Sequence, residues 1–73
     1  MVDFKRLKSY IVLAGYTQRK LVKEMCSRGV TISENTLSAK MTGQSQFYAD
    51  EAVVICEILG IDKPEDRAAI FLT

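Results

Sequence analysis

Histidine is absent from the 73-residue sequence. That removes the side chain best suited to exchange protons near neutral pH and the commonest nitrogen ligand of metals. Cysteine is scarce, with only Cys26 and Cys56; two thiols make no disulfide framework and, without histidine, no complete zinc site. They read as reduced thiols, Cys56 in the core and Cys26 half-buried. No apolar run approaches the roughly 20 residues that cross a bilayer, and the opening MVDFKRLK lacks the apolar segment of a signal peptide. A cytoplasmic chain with no membrane partner is expected. Strand signals, repeats and low-complexity tracts are missing, as is a glycine-rich phosphate loop. The adjacent carboxylates Asp50-Glu51 and Glu65-Asp66 fall in first helical turns, where the helix dipole accounts for them. These absences argue against an enzyme, and no metal, cofactor or small-molecule substrate is expected.

What is present suffices for one small domain over residues 1–73. The sequence is 48% hydrophobic with mean hydropathy +0.05, enough for a single modest core. The formal net charge of +1 hides a division. Residues 1–45 carry eight Lys or Arg against three Asp or Glu, net +5, whereas residues 46–73 carry two against six, net −4. Either the basic half offers phosphates a landing surface, or folding intermixes the charges into ordinary surface.

Helical periodicity runs through the whole chain. Phe4, Leu7, Ile11 and Ala14 form one stripe, with Asp3 placed to cap and Gly15 to terminate. Thr17 caps a second helix that turns Leu21, Val22 and Met25 inward and Arg19, Lys20 and Lys23 outward, with Gly29 as its stop. Val30-Thr31 is a β-branched pair suited to an extended connector. A third helix runs from Ser33 to about Thr42 and closes at Gly43. The fourth, Ala49 to Leu59, is the most apolar and is expected at the centre of the core through Ala52, Val53, Ile55, Cys56 and Leu59, with Gly60 ending it. Pro64 opens a fifth that continues to Leu72. The fold class expected is all-α, five short helices around one core.

The third helix is the informative one. Ser33 is a good N-cap, Ile32 and Leu37 stand at the positions of a hydrophobic staple, and Met41 lies one turn beyond. Glu34, Asn35, Ser38, Ala39 and Thr42 are left outside. Short amide, hydroxyl and methyl groups let a helix approach the DNA major groove closely and hydrogen-bond to base edges. A polar outer face is also what any solvated surface helix shows.

From Leu7 to about Leu59 the residues resemble the Cro and phage-repressor family of helix-turn-helix proteins, the lambda-repressor-like fold. The resemblance rests on Thr17-Gln18 opening the second helix, Leu21 and Met25 within it, ISENTLSAKMTG as the recognition helix in a unit of about 17–43, and the apolar helix ending ILGI. It implies that Gln18 holds the DNA backbone or braces a base-reading side chain. It also implies that Glu34, Asn35, Ser38 and Ala39 read bases, and that Gln44 and Ser45 make backbone and flanking contacts. Departures are a turn longer than the family's usual three or four residues, Lys40 at a position often apolar, and Tyr48 in place of a hydroxyl cap.

The expectation is therefore a Cro-like transcriptional regulator of a bacterial or phage-infected cell, bound to double-stranded DNA. Asn35 is the candidate for a bidentate contact to adenine and Glu34 for accepting from cytosine N4; Tyr16, Thr17, Gln18, Arg19, Lys40 and Gln44 are the candidate backbone contacts, with Ser45 beside the bases. With no effector or protease domain in the sequence, the resemblance is to Cro more than to a full repressor. A weak homodimer on a palindrome is expected through Ile70, Phe71 and Leu72, unless all three close the monomer core. The rival reading is a helical protein-interaction module, antitoxin-like or an inhibitor of a regulator, that uses the acidic half and this apolar end.

Overall fold

The computed structural model describes residues 2–71. Among them are five helices and no strand: α1 (Phe4–Leu13), α2 (Gln18–Ser27), α3 (Glu34–Met41), α4 (Ala49–Leu59) and α5 (Pro64–Phe71). The helices begin where short polar side chains satisfy free amides. Asp3 accepts from the Arg6 amide at 3.1 Å, Thr17 from Lys20 at 3.2 Å and Ser33 from Thr36 at 3.1 Å. α4 begins differently: the Glu51 carboxylate reaches back to the Tyr48 amide at 2.8 Å.

The helix ends on either side of the connector before α3 and the loop after it share one closure. At the end of α2 the Val30 amide donates to Met25 O at 3.0 Å and the Gly29 amide to Cys26 O at 3.1 Å; at the end of α3 the Gln44 amide donates to Ala39 O at 2.9 Å and Gly43 to Lys40 O at 3.4 Å. This is the Schellman pairing, which needs a left-handed residue at its apex. Gly29 has φ +95° and Gly43 φ +84°. A β-carbon at Gly43 would stand 3.4 Å from the Phe4 ring, an ordinary contact, so the left-handed φ is what calls for glycine there.

Eleven side chains build the core: Leu7 and Ile11 from α1, Leu21 and Met25 from α2, Ile32, Leu37 and Met41 at α3, Ile55 and Cys56 from α4, then Ile61 and Ile70. Each large aliphatic contributes about 1.5–3 kcal/mol on leaving water. α2 packs against both α3 and α4, and α1 against α5. The radius of gyration is 11.0 Å, matching the roughly 11 Å of a folded domain this long.

Several expectations need correcting. Ala14 is exposed, so the α1 stripe stops at Ile11. Val53 is 45% exposed, while Glu51 of the same helix is buried, so α4 turns a mixed face inward. The packing centre is α2. Cys26 is exposed, its thiol 3.5 Å from Ile32 O. Of the proposed dimer contacts, Ile70 is fully buried in the hydrophobic cluster where α5 packs on α1, and its carbonyl accepts from the Asp3 amide at 2.7 Å. Ile70 therefore belongs to the monomer core. Phe71 is half-buried with its ring edge-on to Phe47 at 5.6 Å. Leu72 lies outside the described residues.

Burial pushes the Cys56 thiol above its ordinary value of 9.0, Glu57 adding to the rise and Arg67 opposing it. A thiol-alkylating reagent should accordingly label one cysteine, Cys26, in the native protein and both in denaturant. Because the folded state holds the Cys56 proton more tightly, its contribution to stability is complete below pH about 9 and is lost as pH rises through the folded value. Denaturation midpoints of Cys56→Ser should show a shallower alkaline decline than the parent; equal labelling of both thiols in the native state would contradict the burial.

Candidate nucleic-acid interface

The outer side of α3 follows directly from its period. Leu37, Lys40 and Met41 are buried on one arc, which leaves Glu34, Asn35, Ser38 and Thr42 exposed and Ala39 half-buried on the other. The helix is anchored beneath by Leu37 at 0% exposure and Ile32 at 7%. Thr42 donates its hydroxyl to Ser38 O and Ala39 O, both at 3.2 Å, so its proton is engaged within the helix. The groups free to meet a partner are a carboxylate at Glu34, an amide at Asn35, a hydroxyl at Ser38 and a methyl at Ala39. The amide can hydrogen-bond adenine in two places, the carboxylate can accept from cytosine, and the methyl can lie against thymine.

Two flanks adjoin this face. The first turn of α2 carries exposed Thr17 and Arg19 and half-buried Gln18; the Thr17 hydroxyl also caps that helix. Tyr16 is half-buried and packs on the core. Since α2 and α3 pack against each other, these groups and the α3 face belong to one packed pair. On the other flank Gln44 and Ser45 are exposed, and their amides both donate to Ala39 O, at 2.9 and 3.3 Å. Their side chains are thereby held at the C-terminal end of α3.

Lys40 does not belong to this surface. It is 4% exposed, and its ammonium donates to Glu51 Oε1 at 2.7 Å and Gln46 O at 3.0 Å while lying 4.2 Å from the centre of the Tyr48 ring. A phosphate cannot reach it unless the pair opens. The signal was available in the spacing, because position 40 lies three residues after Leu37 and so flanks it on the inward arc. Its charge alone suggested the surface.

The basic half is partly self-neutralised. Arg6 lies 3.8 Å from Asp3, Arg28 lies 3.2 Å from Glu24 and 3.8 Å from Glu57, and Lys40 pairs with Glu51. Among the described residues, Lys5, Lys8, Arg19, Lys20 and Lys23 are exposed without an ion-pair partner. Lys20 therefore joins Arg19 as an available cation on the first turn of α2, an addition that follows from its exposed position. Comparison with protein-family models, curated proteins and solved structures finds no match for this chain.

Removing one member of a buried ion pair strands the other, at a cost of about 3–5 kcal/mol. Urea denaturation should therefore show Lys40→Ala and Glu51→Ala losing about that much each, with Lys40→Met/Glu51→Leu recovering most of it. Arg19→Ala should stay within about 0.5 kcal/mol of the parent. Losses that simply add in the double variant would contradict the coupling.

Proposed function

We propose that this chain is a sequence-specific double-stranded DNA-binding protein, a Cro-like transcriptional regulator of lambda-repressor-like fold, that lays α3 in the major groove. The observation that carries this reading is the outer face of α3: Glu34, Asn35, Ser38 and Ala39, short and chemically varied, on a helix capped at both ends and held from beneath by Ile32, Leu37 and Met41. Asn35 reads adenine. Glu34 accepts from cytosine and thereby offsets the repulsion its carboxylate meets from phosphates. Thr17, Gln18, Arg19 and Lys20 hold one stretch of backbone, with the Tyr16 hydroxyl beside them, and Gln44 and Ser45 hold the other. Lys40 serves differently, by fixing α3 against α4. Catalysis is assigned to no residue.

One recognition helix reads only a few base pairs, so copies act together on DNA to select a site. Burial of Ile70 withdraws that residue from a two-fold contact at the end of α5. The protein-interaction reading draws support from Val12 and Leu13, 73% and 84% exposed. These residues lie on α1, apart from the α3 face, and the two activities are compatible.

Selection from a random duplex pool should enrich one short motif. Asn35→Ala should then lose about 1–3 kcal/mol of affinity for that motif with its stability unchanged within about 0.5 kcal/mol. Arg19→Ala should weaken binding to all duplexes alike and flatten the slope of log affinity against log salt by about one. A pool that enriches nothing would contradict the proposal.

A further inference from the structure

Two exposed surfaces outside the α2–α3 pair carry apolar groups flanked by charges of opposite sign. On α1, Lys5, Lys8 and Val12 follow one another at helical spacing on the side opposite Leu7 and Ile11, with Leu13 beside them. Val12 and Leu13 are the most exposed large apolar side chains among the described residues. Neither lysine has an ion-pair partner among those residues.

The second surface is an apolar groove of about 360 Å³ between α4 and α5, lined by Ala49, Val53, Cys56, Ala68 and Phe71 among others. Its one cation, Arg67, donates its Nε–H to Ile61 O at 2.7 Å and is held half-buried. Asp50 and Glu57 stand one turn to either side of Val53 on α4, and both are exposed. Glu57 pairs with the Arg28 guanidinium at 3.8 Å.

We infer that the chain associates head-to-tail, the basic, apolar α1 face of one copy seated on the acid-rimmed α4–α5 groove of the next. Sign decides the arrangement. Two α1 faces brought together gather four lysines, Lys5 and Lys8 of each copy, and two grooves brought together gather the carboxylates of Asp50 and Glu57. Each self-pairing concentrates charge of one sign, whereas the mixed contact brings opposite signs together and covers Val12 and Leu13. No residue of the α3 face is used, so the contact forms with or without DNA. On DNA it orders copies in tandem, which suits directly repeated half-sites.

The test is sedimentation velocity of the DNA-free full chain over a concentration series reaching about 1 mM, the range in which a small contact associates. The parent should grow past dimer as concentration rises, and about 0.5 M salt should reverse this by screening. Lys5→Glu/Lys8→Glu and Val53→Lys should each remain monomeric. Mixed one to one they should form a dimer and nothing larger, because a single native pair of faces survives. Leu13→Ser gives a second α1-face variant, and circular dichroism establishes that each variant is folded. A parent that stays monomeric, a Lys5→Glu/Lys8→Glu variant that associates like the parent, or a mixture that stays monomeric would overturn the inference.

Discussion

The contact on which the arrangement of this protein depends is the buried pair of Lys40 and Glu51. It joins the helix proposed to read DNA to the helix beneath it and leaves no charge unmet. The ammonium is shared among the carboxylate, Gln46 O and the face of Tyr48, while the same carboxylate oxygen takes the Tyr48 amide that opens α4. A single oxygen thus starts one helix and holds another. Such a pair contributes little net stability over a well-packed hydrophobic one, but it tolerates few alternative geometries. On this account its work is orientation: it ties α3 to the first turn of α4 and, through Gln46 O, holds the loop between them.

Around that pair the fold is assembled from local devices. Polar caps set the starts of α1, α2 and α3, and Schellman closures set their ends, so the helices stop where their side chains dictate. Among the described residues eleven buried side chains form the core, with α2, which carries Leu21 and Met25, packed against both α3 and α4. The same economy shapes the surface. With Arg6, Arg28 and Lys40 tied to carboxylates, the cations of residues 1–45 without an ion pair among the described residues divide between α2, which packs on α3, and α1, beside Val12 and Leu13.

Helix boundaries were legible in the sequence because caps and glycine closures act over three to six residues. The outward set on α3 was legible for a similar reason: a staple at Ile32 and Leu37 sets the phase of the whole helix. What was not legible depends on partners far along the chain. Lys40 finds Glu51 eleven residues away, and a lone lysine reads as surface by default even where its angle points inward. Ile70 joins the core where α5 packs on α1, at the opposite end of the sequence. Periodicity also shows where a stripe is centred without showing its width, which is why Ala14 and Val53 looked buried and are exposed.

The central claim, that α3 reads base edges, is tested most directly by amide chemical-shift mapping of the isotope-labelled protein against a selected duplex and a scrambled one. The account predicts that both duplexes shift Thr17 to Lys20 and Gln44 to Ser45, and that only the selected duplex produces large shifts at Asn35, Ser38 and Ala39. Shifts confined to Lys5–Leu13 or to the α4–α5 groove, with Asn35 and Ser38 unmoved by either duplex, would contradict it.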